Sequence, residues 1–235
     1  MLTTVFPTES PTEVIPWLWV QVGAVVGWLS AIGLVAIALS YQIHVEPELV
    51  RKVVHIGTGN IIVLAWWLQV PAWLGIGAAI VFSLLAFFSS RYPLLPGLDT
   101  IGRKSLGTVF YAISIGVLIA GFWRSAPHFA VLGVLVMTWG DGLAGLCGKW
   151  FGQHQYTVWG MQKSWEGSLT MAIVSGLVSG LVLWGTMGHG WQIWVSAIAI
   201  GLIAMGLETV SKWGLDNLTV PIGSAVIAWL LSYLL

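Results

Sequence analysis

TWGDGLAGLCGKWFG, residues 138–152, contains Gly140-Asp141-Gly142-Leu143-Ala144-Gly145, a literal G-x-G-x-x-G. A dinucleotide-binding turn of that form must follow a strand and open a helix inside a soluble βαβ unit. Here it closes an apolar run that starts near Pro127 and reads as a membrane helix. The glycines at 145, 148 and 152 also have the small-residue spacing of close helix packing. Neither reading accounts for Asp141. A carboxylate in a membrane helix is costly unless paired or wet, so it marks a functional site by default.

Composition supports the membrane reading. Of 235 residues, 57% are hydrophobic and only 8% charged, against about a quarter charged in soluble domains. The formal net charge is zero, which gives nucleic acid no basic patch to bind. The single cysteine, Cys147, excludes an internal disulfide and reads as a small buried apolar residue. The opening MLTTVFPTESPTEVIP has no Lys or Arg. It is therefore expected to be neither a signal peptide nor a transit peptide.

Hydropathy predicts an all-α polytopic bundle forming one membrane domain over 1–235. Eight spans, within a range of seven to nine, fall at about 17–40, 53–70, 72–88, 106–123, 127–147, 168–187, 191–207 and 220–235. With residues 1–16 as a short outer tail, the loops near 41–52, 89–105, 148–167 and 208–219 face the cytoplasm. They hold eight of the nine basic residues, all but Arg124, as the positive-inside rule requires. Trp66, Trp67, Trp73, Trp123, Trp184 and Trp191 gather near the outer ends as an aromatic belt. Most acids, Asp141, Glu166, Glu208 and Asp216 among them, sit at the same face as the bases. A purely structural bundle has no need of that asymmetry. An active site at the cytoplasmic face would produce it.

Four further stretches carry charge. In RKVVHIGTGN, residues 51–60, the i, i+4, i+8 spacing puts Arg51, His55 and Gly59 on one face, beside Lys52. GLDTIGRKS, 97–105, misses the P-loop spacing by one residue, and no strand precedes it. MQKSWEGS, 161–168, places Ser164 to cap a helix and Glu166 to complement its dipole, with Lys163 beside them. ETVSKWGLDNLTVP, 208–221, allows a Glu208–Lys212 helical pair. The same stretch holds Asp216-Asn217, which reads as an Asx-turn or as a hard-cation ligand pair.

RKVVHIGTG, GDGLAGLCGKWFG, KSWEGS and E-x7-DNLTVP, in this order between apolar spans, resemble the polyprenol kinase family. That family includes the dolichol and phytol kinases, and the wording is nearest to the latter. The resemblance runs from about residue 48 to the end. It implies an integral-membrane kinase that phosphorylates a long isoprenoid alcohol, typically from CTP. It further implies phytol as the alcohol, recycled from chlorophyll towards tocopherol, and hence a bacterial, cyanobacterial inner or thylakoid membrane. Phosphoryl transfer needs charge neutralisation and positioning. Asp141, Lys163 and Glu166 are then the catalytic candidates. Asp141, Glu166, Asp216 and Asn217 are candidates for Mg2+. Arg51, Lys52, His55, Gly140, Gly142, Gly145, Lys149 and Ser164 are candidates for the nucleotide phosphates. Partners are the bilayer, the alcohol and the nucleotide; the number of copies in the assembly leaves no mark in the sequence. The rivals are a kinase of another lipid alcohol (dolichol, farnesol or geranylgeraniol, diacylglycerol), a cytidylyltransferase forming a CDP-lipid, and, in a different class, a small-solute or ion-coupled transporter.

Overall fold

A computed structural model describes residues 11–42, 45–91 and 106–233. The side chains of 11–16, 90 and 91 are outside the description, and GLDTIGRKS lies wholly outside the described residues. Helix α1 spans Pro11–Ser40. Helices α2 (Pro47–Gly59) and α3 (Ile61–Trp67) make one rod interrupted at Asn60. Then follow α4 (Ala72–Arg91) and α5 (Gly107–Phe122). A second composite rod joins α6 (Pro127–Leu135), a π turn (Val136–Asp141) and α7 (Gly142–Phe151). After a short hairpin come α8 (Trp165–Met187), α9 (Trp191–Val210) and α10 (Asp216–Ser232). The all-α polytopic expectation holds. Among the described residues six helical stretches are long and apolar enough to cross a membrane. The 16-residue α5 is shorter.

The α6–π–α7 rod is the centre of the bundle. Every residue from Phe129 to Val134 is buried, and the rod packs against α2, α3, α5, α8 and α10. Gly133 allows a close approach to α10. A methyl group there would collide with the Pro221 carbonyl of α10. Indole and amide donors tie rod ends together: Trp28 to the Gly57 carbonyl, Gln21 to Leu68 and Trp123 to Val70, each at 2.8 Å. Large apolar side chains face outward instead, such as Leu34, Leu85, Leu177 and Ile198. Lipid makes that exposure inexpensive, while the helices satisfy their own backbone groups. Of the expected belt, Trp67, Trp73, Trp184 and Trp191 are exposed, but so are Trp150, Trp159, Trp165 and Trp213 near the loops expected to face the cytoplasm.

Two features differ from the sequence reading. The central helix runs on to Phe151 rather than ending at 147, so Asp141 lies within a continuous rod and not at its mouth. The stretch 148–167 also holds a hairpin, β1 (Gln155–Val158) and β2 (Met161–Ser164), antiparallel with Tyr156 opposite Lys163. Its two-residue turn, Trp159-Gly160, has φ of 52° and 80°, the pair of positive values that matches the twist of a tight hairpin.

Candidate active site

The π turn ends on Asp141, and α2 supplies its partners. Lys52 Nζ donates to Asp141 Oδ2 and to the Asp141 main-chain carbonyl, both at 2.8 Å. His55 Nε2 lies 3.3 Å from the Met137 carbonyl and 3.5 Å from Asp141 Oδ2. Both neighbours are acceptors, so Nε2 carries the proton. The lysine side chain is 2% exposed and the aspartate 16%. Breaking a buried pair by removing one partner costs about 3–5 kcal/mol, because the other charge is stranded. The inward face of α2 is therefore 52, 55 and 59. Arg51, expected on that face, points outward at 43% exposure and pairs with Glu48.

The glycines do not form an open phosphate cradle. Space beside Gly145 is filled by Lys52, whose Cε would lie 2.5 Å from an added methyl group. Beside Gly142 stands Ile56, and beside Gly140 stand Ser175 and Met171. They bring α2 and α8 close enough for Lys52 to reach Asp141. Gly59 does the same for the π turn. A methyl group there would overlap the hydroxyls of Thr138 and Tyr111, which bond each other at 2.8 Å, while the Tyr111 ring stacks on His55 at 4.6 Å. Gly59→Ala is expected to cost about 1–3 kcal/mol through overpacking. Melting in detergent would show it as a lowered Tm. Gly77→Ala, with nothing within 4 Å of the new methyl, serves as the neutral control.

The hairpin delivers Lys163. In register with Tyr156 it shares that residue's face of the strand pair. Lys163 Nζ donates to Glu208 Oε1 and to the Glu208 carbonyl, both at 2.5 Å. The Tyr156 hydroxyl meets Ser168 at 2.5 Å. Glu208 thus pairs across the fold and not with Lys212: α9 stops at Val210, and Lys212 sits over the Trp159 ring at 5.8 Å. Ser164 caps α8 by accepting from Gly167 N at 3.2 Å, as its position predicts. Glu166 is committed elsewhere, binding His154 Nδ1 at 2.6 Å and so fastening the hairpin base. Lys149 pairs with Glu46 at 2.7 Å, away from Asp141. The hydrogen bond from Lys149 holds the Glu46 carboxyl below its ordinary value.

Asp216 and Asn217 open α10 after a turn in which Trp213 and Gly214 have positive φ. Asn217 Nδ2 bonds the Gly214 carbonyl at 3.3 Å. Asp216 makes no ion pair among the described residues. It lies ahead of the expected span at 220, where burial first, then the negative charges of Asp141 and Glu208, push its carboxyl up to about 6. Asp216 thus stands as a carboxylate with no ion-pair partner among the described residues, in the negative field of Asp141 and Glu208, which are paired with Lys52 and Lys163. Among the described residues no three His, Cys, Asp or Glu side chains make a ready cage for a metal ion. Mg2+ needs no such cage. It takes one or two carboxylates and completes its shell with water and substrate phosphates, so the surplus carboxylate at Asp216 fits it and Glu166 does not. The sequence offers Glu208 as a helical partner of Lys212; its partner in the fold, Lys163, lies 45 positions away.

Fold and cluster together define a polytopic membrane protein with an ionic site sunk among its helices. The chain is 47% identical over 92% of its length to the phytol kinase of Synechocystis sp., covering 94% of that protein. It is 26% identical to phytol kinase 1, chloroplastic, of Arabidopsis thaliana, over 89% of this chain and 76% of that one. To the farnesol kinase, chloroplastic, of the same plant it is 28% identical, over 79% and 66%. No family model and no solved structure matches it. The chain belongs to the phytol kinase family, and is a kinase.

Proposed function

We propose that this chain transfers the γ-phosphoryl group of CTP to phytol, giving phytyl phosphate and CDP, at a site facing the cytoplasm of a cyanobacterial inner or thylakoid membrane. The observation that carries this reading is the buried Lys52–Asp141–His55 group within the bundle, coupled to Asp216 and to Lys163–Glu208. Such a group can meet an alcohol arriving from lipid and a phosphate arriving from water. The 47% identical relative named a phytol kinase supports phytol as the acceptor.

Lys52 and His55 hold the Asp141 carboxylate in direction. Asp141 accepts the hydroxyl proton as the alcohol oxygen bonds the γ-phosphorus and the bond to the β–γ bridging oxygen breaks. Lys163, held by Glu208, faces the transferred phosphate. Mg2+ at Asp216, with Asn217 beside it, would neutralise charge on the nucleotide phosphates. Arg51 stands at the rim for the incoming nucleotide. The farnesol kinase relative supports a second reading, a shorter isoprenoid alcohol as acceptor.

The test uses membranes containing the full chain, with Mg2+, phytol and γ-labelled CTP or ATP. Label in a phytyl monophosphate, from CTP in preference to ATP, is the expected result. Label only in farnesyl phosphate would move the acceptor. A lipid labelled only from α-labelled CTP would replace kinase by cytidylyltransferase. Solute movement into sealed vesicles without nucleotide use would replace both by a transporter.

A further inference from the structure

The rods that build the ionic cluster also leave an open apolar crevice. It has a volume of about 350 Å³ and lies between α3, α6 and α8. Val63 and Trp66 form one wall, Leu181 and Gly185 the other, and Val131 and Leu135 the floor. Thr186 supplies the polar edge. This crevice plays no part in the ionic cluster.

Its distance from Asp141 follows from the helices. Val63 and Trp66 come 8 and 11 positions after His55, and Leu135 and Val131 come 6 and 10 before Asp141. At ~1.5 Å per residue the crevice therefore begins roughly 9 Å from the cluster and ends roughly 17 Å from it. Between them lies Trp139, partly exposed, whose Nε1 donates to Asn60 Oδ1 at 3.1 Å. Leu135 and Trp139, one turn apart and both partly exposed, continue the crevice floor towards Asp141. An extended chain gains ~3.5 Å per three backbone bonds, so each four-bond isoprene unit advances roughly 4–5 Å. A two-unit alcohol with its oxygen at Asp141 only reaches the crevice mouth. A four-unit alcohol fills it.

We propose that the crevice between α3, α6 and α8 seats the distal isoprene units of the alcohol and so sets the chain length the enzyme prefers. This rests on the kinase reading above. Gly185 is the residue to change. It sits in a helix on the crevice wall, and a Cβ there would meet nothing within 4 Å, so a side chain can be added at this wall without a clash at its first atom.

The test measures kcat/KM for C10, C15 and C20 prenyl alcohols, on wild type, Gly185→Phe and, from the opposite wall, Val63→Trp. Both variants are expected to lose roughly tenfold or more on the C20 alcohol, a loss of the size a blocked apolar pocket gives, and to keep the C10 rate. A fall shared equally by all lengths in both variants, or no fall in either, overturns the proposal; a crevice that only holds a bilayer acyl chain would give one of those two results. Wild type inactive on every prenyl alcohol would overturn the kinase reading itself, and the crevice assignment with it.

Discussion

Asp141→Asn is expected to reduce phosphoryl transfer on the order of 10³-fold or more while the protein still inserts in the membrane. Asparagine keeps the shape and one oxygen for the Lys52 ammonium, so the loss is of charge. Without that charge the hydroxyl proton has no acceptor, and the stabilisation of a preorganised ionic site is removed as well. The Lys52 cation is also stranded in a position 2% exposed, which destabilises the fold. These two consequences separate in a double variant. Lys52→Met with Asp141→Asn replaces the buried pair by neutral groups of similar size. It is expected to regain most of the melting temperature and none of the activity. Recovered activity in the double variant, or an active Asp141→Asn, would remove Asp141 from the chemistry.

The same residue shows how far the sequence could be read. The long apolar runs are legible because the bilayer imposes a length and a polarity on each helix. Asp141 is legible because a carboxylate among such residues is costly. What surrounds it is less so. Arg51 and Lys52 are adjacent cations, and only the phase of α2, set by its start at Pro47, decides that Lys52 points inward. Helix α7 carries the rod past the expected end at 147 to Phe151, and the π turn from Val136 to Asp141 inside that rod is marked by no residue type. The glycines of GDGLAG suggest a phosphate cradle, yet their neighbours from α2 and α8 occupy the space. Closeness between distant helices is not written locally. The hairpin did leave a signal: two four-residue runs, QYTV and MQKS, flank Trp159-Gly160, with Gly in a two-residue loop. The surrounding hydropathy concealed it.

Lys163→Ala is expected to lower kcat by about 10²-fold, with a smaller effect on stability than Asp141→Asn has. The ammonium is held at 2.5 Å by both the side chain and the carbonyl of Glu208, so two of its three protons are used and one remains for a phosphate oxygen. Its partner Glu208 has a side chain 17% exposed, against 2% for the Lys52 that Asp141→Asn strands. Removing Lys163 therefore strands Glu208 where water can still reach it. The loss should fall on charge stabilisation of the transferred group, for which one donor is commonly worth about 10²–10³ in rate. Lys163→Arg, which keeps the charge but not the compact geometry, should recover only part of it. A Glu208→Gln variant discriminates further. If Glu208 only positions Lys163, its loss is smaller than that of Lys163→Ala, and the two together cost no more than Lys163→Ala alone. Independent, additive losses would mean that Glu208 acts on the substrate itself. Full activity in Lys163→Ala would detach the hairpin from catalysis and leave it as a fastening between α8 and α9.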